Sequence, residues 1–285
     1  MICKTKNGMR LRRHLLLLLV LTGLGSLTAQ DIHFSQYNLS PLTLNPALAG
    51  SFEGTARIGG IYRDQWGSFL RNQFVTPSFY IDAPVVRGLR KNDWIGVGLV
   101  VITDKAGTSE LKTGGSLLTG AYHLALDKNR KNMLTLGFQG GRVTRSVNLS
   151  AEGLKFADEL PTQVGGGGLG VGAGADRNLT DQKSYFDLAA GVMLRSQMDE
   201  KNHLELGFAA GHITQPAYGF GGAGAGTGGG SGNSSAKRPM RLTLHGTLVR
   251  KITEELSIEP SFLVQNTKTA TEIAVQALAG LRLRE

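Results

Sequence analysis

The sequence predicts an all-β protein, an antiparallel transmembrane β-barrel of the outer membrane that follows an N-terminal signal peptide. The chain opens with the features of a secretory leader. After the leader, segments in which apolar residues alternate with small or polar ones return about ten times. The links between these segments sort into short turns and longer loops, as they do in outer-membrane barrels.

The leader is predicted at residues 1–29. Positive residues precede the apolar run Leu15–Leu21, and small residues continue to Ala29, after which we expect cleavage. The mature chain then starts outside the cytoplasm and contains no run of roughly 18 to 20 apolar residues, the length that a spanning helix needs. The only cysteine, Cys3, lies inside the leader, so we expect no lipidated cysteine and no disulfide in the mature chain.

The charge of the chain gives no indication of nucleic-acid binding. Residues 1–29 contain five of the 31 Lys and Arg and none of the 22 Asp and Glu. The mature chain therefore has 26 positive and 22 negative residues, which lowers the net charge from +9 to +4. A charge of this size does not distinguish a nucleic-acid-binding protein from other proteins.

A segment at residues 30–54, either periplasmic or a plug, is predicted to precede a barrel over 55–285. About ten strands are expected, near the 9–11 residues of a tilted membrane strand. Pro77 and Pro260 fall inside two of them, and each marks either a bulge or a wrong register, since proline cannot donate to the ladder. The predicted strands lie near residues 55–64, 73–82, 94–103, 114–126, 134–139, 186–195, 204–211, 238–250, 255–266 and 272–284.

The two faces of these strands differ in composition. One face is apolar, while the other is rich in Gly, Ser, Thr, Gln and single charges, as a wet lumen would be. We expect Leu136 and Leu206 to face lipid and Gly137 and Glu205 to face the lumen, where an introduced Arg would be better tolerated. Aromatic residues near the strand ends suit interfacial girdles. The alternative is a soluble β-protein in which these rings form the core.

The lengths of the links predict the topology. The links at 127–132, 196–202 and 251–255 are short, and those at 143–183 and 213–238 are long and rich in glycine. If the first strand rises from the periplasm, all three short links are periplasmic and both long links are external. This is the arrangement found in outer-membrane barrels.

No motif predicts enzyme activity. Gly165, Gly167 and Gly170 match G-x-G-x-x-G but lack the preceding strand and following helix of a dinucleotide site. The histidines after the leader are isolated, and no pair has the spacing of a helical metal site. A Ser-assisted hydrolase that uses His123 or His245 is conceivable, but nothing places a serine beside either one. We therefore expect no catalytic residue, no cofactor and no metal.

Residues 30–51 follow neither a strand nor a helix pattern. Pro41 and Pro46 prevent a continuous helix, and the aromatic and apolar groups are expected to be exposed. Two interpretations are open: a plug or strap that packs in the barrel mouth, or a docking strip for a periplasmic partner. The residues predicted to bind the partner are His33, Phe34, Gln36, Tyr37, Leu44, Asn45 and Pro46.

The chain resembles the PorP/SprF family of the type IX secretion system. The resemblance rests on DIHFSQYNLSPLTLNPALAGS at residues 31–51 together with the GFQGG block at 137–141. It implies a non-enzymatic outer-membrane barrel, with more strands than the ten readable here. Implied partners are the periplasmic ring of the secretion machine, the C-terminal domains of cargo or adhesins, and outer-membrane lipid. Further matching segments are 62–66, 101–113, 121–150, 154–160 and 184–196.

The resemblance implies a role in protein secretion, gliding motility or the surface attachment of adhesins, through protein–protein contacts. The alternative function is a small-solute diffusion porin, since a barrel of ten or more strands encloses enough space for water. Steady conductance without partners would favour the porin, and recovery of large secreted proteins would favour the attachment role.

Overall fold

The computed structural model describes residues 32, 34–65, 67, 74–88, 90, 92–107, 110–148, 182–220, 237–268 and 270–281. These residues belong to one compact unit, Ile32–Glu285. The predicted leader at 1–29, His33 and most of the two glycine-rich links lie outside the described residues. Within the described ranges, no helix has the length and apolar character needed to cross a membrane.

Within the described residues, the fold is one antiparallel sheet of ten strands in sequential order, which forms a curled half-barrel. The prediction of an antiparallel β-barrel fold with about ten readable strands is confirmed. The strands are β1 (Arg57–Gln65), β2 (Phe74–Arg87), β3 (Trp94–Ala106), β4 (Leu111–Ala125), β5 (Asn132–Ser146), β6 (Gln182–Gln197), β7 (Asn202–Gly211), β8 (Arg241–Lys251), β9 (Leu256–Thr267) and β10 (Thr271–Leu281).

The strands differ from the predicted ones mainly in length. β5 continues to Ser146, so the long link after it begins at residue 147 rather than 143. The links at 88–93, 126–131, 198–201 and 252–255 lie at one end of the sheet, here called the turn end. The links at 147–181 and 212–240 lie at the opposite end, here called the loop end. That the turn end faces the periplasm stays a prediction.

The two faces of the sheet are those that the alternation predicts. On β5, the side chains of Leu136 and Phe138 are 50% and 67% exposed, whereas Thr135 and Gln139 are buried. Residues directly opposite each other in an antiparallel pair project to the same side, so the exposed apolar face continues from strand to strand. We call the exposed face the outer face and the other the inner face.

The two strand prolines cause neither a bulge nor a wrong register. The β2–β3 pairing passes from Val75↔Lys105 to Ser78↔Ile102 without a change of register on either side of Pro77. The β8–β9 pairing likewise keeps its register across Pro260. Each proline therefore only interrupts a ladder locally, because it has no amide hydrogen to donate. The irregularity of β2 instead lies between Pro84 and Val86.

An irregular segment packs on the inner face. Residues 34–51, here called the inner segment, form a short α-helix, Pro41–Leu44, between the 3₁₀ turns Tyr37–Leu39 and Pro46–Leu48. Hydrogen bonds join this segment to each strand from β1 to β9. Ala274 of β10 packs against its Tyr37–Leu44 cluster. One segment of this length meets ten strands because the sheet curls around it.

Candidate functional site

The local sequence of the inner segment favours short turns. Pro41 and Pro46 each occupy the first turn of a short helix, where a missing amide hydrogen costs nothing. Asn45 caps the second of these turns, since its side-chain oxygen accepts a hydrogen bond from the Ala47 amide at 2.9 Å. The chain therefore reverses direction several times within residues 34–51, and many of its carbonyl groups have no partner inside the segment.

Side chains of the inner face donate hydrogen bonds to six carbonyl groups of the segment, of which Leu48 O also accepts from the Ser51 amide inside the segment at 3.2 Å. Buried polar backbone groups need partners, and a segment without regular structure must obtain them from elsewhere. The polar inner face, which the sequence indicated as the lining of a wet lumen, supplies them. The donors are Gln139 to Leu42 O (3.0 Å), Arg241 to Thr43 O (3.2 Å), Arg57 to Leu48 O (3.1 Å), His123 to Ala49 O (2.8 Å), Trp94 to Gly50 O (3.0 Å) and Arg195 to Ser51 O (2.9 Å).

Asn45 is the centre of the contact between the inner segment and the strands. It is fully buried. Its amide nitrogen lies 3.2 Å from Val192 O on β6, 3.5 Å from Phe208 O on β7 and 3.0 Å from His245 Nε2 on β8. The two amide hydrogens are thus shared among acceptors on three strands, while the side-chain oxygen holds the Ala47 amide. No apolar residue of similar size offers both functions.

A carboxylate fixes the end of the inner segment. Asp82 on β2 is buried and accepts a hydrogen bond from the Gly50 amide at 2.7 Å. Arg57 on β1 binds both carboxylate oxygens, at 3.0 and 2.9 Å, in a bidentate pair. The same guanidinium donates to Leu48 O. The pair therefore ties β1, β2 and the inner segment together, with its charges matched inside the fold.

Close approach of the inner segment explains a glycine on the inner face. An added Cβ at Gly137 would lie 2.6 Å from Ala47 Cα and closer still to the Ala47 amide nitrogen. Glycine inside a strand often marks the close approach of another backbone, and this is the signal from which the packing could have been foreseen. The expectation that Gly137 faces a wet lumen and tolerates Arg is therefore wrong. Glu205, the other residue assigned to the lumen, pairs with Arg195 at 2.8 Å.

Most residues predicted to bind a partner are buried inside the chain. Phe34, Tyr37 and Leu44 are 6%, 5% and 7% exposed, and Asn45 and Pro46 are also buried. The expectation of exposure is wrong for these aromatic and apolar groups, because they pack on the sheet, whereas Leu39 of the same segment is 51% exposed. Tyr37 also donates to Ser261 Oγ on β9 at 3.0 Å. Among the seven predicted residues, Gln36 is exposed, and His33 lies outside the described residues.

The two histidines considered for a hydrolase have structural contacts. His123 donates from Nε2 to Ala49 O, so its Nδ1, 3.0 Å from the Thr135 hydroxyl, is the acceptor in the neutral ring. Its ring stacks on Trp94 with centroids 4.7 Å apart. His245 Nε2 meets the Asn45 amide. Both rings are buried under the inner segment.

Sequence reasoning missed a charged cluster at the loop end. His212 Nδ1 lies 2.7 Å from Asp187 on β6, and Arg238 donates to His212 Nε2 at 3.1 Å. Arg238 also donates to the Tyr185 hydroxyl. His212 and Arg238 flank the long 212–240 link, so the cluster fixes both ends of that link to β6. Across the described ranges, no group of three or more His, Cys, Asp or Glu residues could hold a metal ion.

A cavity opens at the turn end, next to the point where the inner segment leaves the sheet. Its volume is about 590 Å³, and Phe52, Trp94 and Met133 are among the residues that line it. Arg130 lies over the Trp94 ring, with the guanidinium carbon 5.7 Å from the ring centroid. Among the described residues, the lining contains five Lys and Arg residues against three Asp and Glu residues. Its charged residues are Arg87, Arg130, Arg195, Lys201, Lys251, Glu53, Asp199 and Glu200.

Comparison with known proteins agrees with the resemblance found in the sequence. The family model for the type IX secretion system membrane protein PorP/SprF matches residues 26–283. The chain belongs to the PorP/SprF family. It is also similar to the translocator domain of the autotransporter NalP from Neisseria meningitidis, at 12% identity and a TM-score of 0.37, over 87% of this chain and 96% of that domain. None of the curated proteins compared with it matches.

In this PorP/SprF family member, carboxylates at the turn end are used to hold the turns. The hydrogen bond from the Asn202 side chain, followed by that from the Lys201 amide, lowers the pKa of Asp199. At Asp127, desolvation opposes ionisation, but hydrogen bonds from Lys131 and Asn132 outweigh it and lower the pKa. These carboxylates remain ionised at neutral pH and point their oxygens at turn amides. The cation of Arg130 has no carboxylate partner among the described residues.

Proposed function

We propose that this PorP/SprF family member is a non-enzymatic outer-membrane β-barrel that assists type IX secretion or attaches secreted cargo and adhesins at the cell surface. Membership of a secretion-system membrane protein family supports the system. The continuous exposed apolar outer face supports placement in a membrane. The barrel acts through protein–protein contacts, with the periplasmic ring on one side and the C-terminal domains of cargo on the other.

The inner segment is the observation that carries this proposal. A diffusion porin needs an open, polar lumen, whereas here one segment contacts all ten strands from the inside. The inner-face side chains that could line a water path instead bind the carbonyls of that segment. His123 donates to Ala49 O and His245 accepts from the Asn45 amide, which supports a structural role for both, rather than catalysis.

The turn-end cavity is the proposed docking surface for the periplasmic ring. The buried inner segment offers few side chains to a partner, but it ends at the cavity, where Phe52 and Glu53 join the lining. Arg130 contributes a cation together with the Trp94 ring beneath it, a combination enriched at protein interfaces. We expect the ring component to present an acidic side chain or an acidic segment to this cavity.

Affinity capture from native envelopes, followed by quantitative mass spectrometry, tests the proposal. Arg130→Glu should reduce recovery of ring components while leaving the yield of folded barrel unchanged, because the side chain is exposed. Lys268→Glu, the same reversal at an exposed site of the loop end, is the matched control and should leave ring recovery unchanged. Equal recovery with all three proteins would contradict the docking surface.

A triple substitution separates packing from docking in the inner segment. Replacing Phe34, Tyr37 and Leu44 by Ala removes three buried side chains, so we expect the folded, heat-modifiable barrel to decrease before partner recovery per folded barrel does. Normal barrel yield with reduced recovery would restore the docking strip. Steady ohmic conductance of the purified wild-type protein in planar bilayers would replace the proposal by the porin.

A further inference from the structure

A second groove lies on the outer face at the turn end, between β7, β8 and β9. Its volume is about 510 Å³. Leu248, Ile252 and Ile258 form its apolar part, and the last two are 47% and 37% exposed. Arg250 projects into the same face, because it stands directly opposite Asn202 on β7 and Ile258 on β9. The groove thus joins apolar and cationic surface on the wall of the barrel.

Pro260 explains why a groove forms here. The β8–β9 ladder passes from Thr247↔Ser261 to Arg250↔Ile258 with no pair between them. Proline cannot donate the missing hydrogen bond, so the two strands are not joined along this stretch. Pro260 lines the resulting groove. The proline that the sequence left unexplained therefore coincides with a feature of the outer face.

The groove is strongly cationic. Lys201, Arg250 and Lys251 line it, and no Asp or Glu in the described part of the chain does so. The hydrogen bond from the Asn202 side chain and, to a smaller degree, the charge of Arg250 lower the pKa of Asp199, whose oxygens accept from the turn amides. Three like charges around an apolar floor are mutually repulsive, and an anion with an apolar tail would relieve this repulsion.

We propose that this groove binds an anionic phospholipid of the membrane leaflet at the turn end. Arg250 would hold the phosphate with its planar fork, Lys201 and Lys251 would add charge at the level of the headgroups, and Leu248 and Ile258 would contact the acyl chains. The order of residues along β8 fits this assignment, since Leu248 lies before Arg250 on the side of the apolar outer face, and Lys251 and the exposed Ile252 follow it at the turn. The inference rests on the proposed membrane placement of the barrel.

The test measures retained lipid in two settings. In detergent, native mass spectrometry counts phosphatidylglycerol or phosphatidylcholine bound to the purified protein. We expect wild type to prefer phosphatidylglycerol and Arg250→Gln to weaken that binding about fivefold, the effect of one interfacial cation. Arg250→Lys should keep part of the binding, and Lys268→Gln at the loop end should keep all of it. In vesicles, added phosphatidylglycerol should raise the urea midpoint of wild type more than that of Arg250→Gln.

Each other outcome has a defined meaning. Equal phosphatidylglycerol retention by wild type and Arg250→Gln would overturn the proposal. Displacement of the lipid by inorganic phosphate alone would show a free-anion site and would also overturn it. Failure of wild type to insert into any vesicle would contradict the membrane function, while the detergent measurement would still decide the groove. Arg130→Glu, which alters the cavity but not this groove, should retain lipid as wild type does.

Discussion

The packing of the inner segment makes a sharp prediction for two neighbouring glycines. Gly137 on β5 is buried under Ala47, whereas Gly120 on β4 has no atom within 4 Å of the position that a Cβ would occupy. The two glycines lie on paired strands, and Gly137 stands opposite Ala121, the residue that follows Gly120. The same substitution to Ala therefore tests the inner face at one site and the outer face at the other.

The expected magnitudes have opposite signs. At Gly137 the new methyl group would overlap backbone atoms of Ala47 and Pro46, which cannot move aside as a flexible side chain could. Overpacking of this kind costs roughly 1–3 kcal/mol. At Gly120 the substitution only reduces the freedom of the unfolded chain, which stabilises a strand by roughly 0.5–1 kcal/mol. The two variants should therefore differ by roughly 1.5–4 kcal/mol.

The free energy of unfolding is measured by urea titration of the protein folded in lipid, with tryptophan fluorescence and heat-modifiable mobility as independent probes. Both variants are compared with wild type in the same lipid. If Gly137→Ala is as stable as Gly120→Ala, the inner segment does not contact β5 in the membrane. An open lumen would then be expected instead.

Three further predictions concern other residues. Asn45→Ala should destabilise the protein by roughly 2–4 kcal/mol in the same titration. Asn45→Asp should destabilise it at least as much, because its carboxylate would face carbonyl acceptors. Equal stability of Asn45→Asp and wild type would contradict this. Leu136→Arg should lower the free energy of unfolding by about 2–4 kcal/mol, and Leu126→Arg, in an exposed turn, should lower it far less. Equal losses of stability would argue against an outer face that contacts lipid. Asp127→Asn should lower the free energy of unfolding at neutral pH, because only the ionised carboxylate stabilises the turn. The difference in stability from wild type should vanish as the pH falls below the ordinary carboxyl pKa of 3.8 and through the lower pKa of Asp127 in the folded protein. A difference in stability that does not change with pH would show another cause.

The strands could be predicted because their signal is local. A strand with one apolar face repeats every two residues, so Leu136 and Phe138 identify their own face without knowledge of any neighbour. The alternation persists over most of the barrel, and all ten predicted strands are present. The ends of the strands were predicted less well, because polar residues such as Thr144 and Ser146 fit a ladder and a loop equally.

The polar inner face shows where local reasoning fails. Gln139, His123 and Arg195 have the composition of a lumen lining, and a donor side chain has the same sequence signature whether it faces water or a buried carbonyl. The difference is the inner segment, which lies roughly a hundred residues away from Gln139 along the chain. For the same reason the apolar groups of residues 34–51 were assigned to a partner instead of to the sheet.

Period-two alternation and the family motifs by themselves determined the strands, the outer face and membership of the PorP/SprF family. The position of the inner segment was decided only by the tertiary structure. Its turns bury Asn45 and Ala47 because ten inner faces converge on them, and each contact joins residues far apart in the chain. Local periodicity reports one strand at a time, whereas the hydrogen-bond partners of an irregular segment exist only once all the strands are assembled.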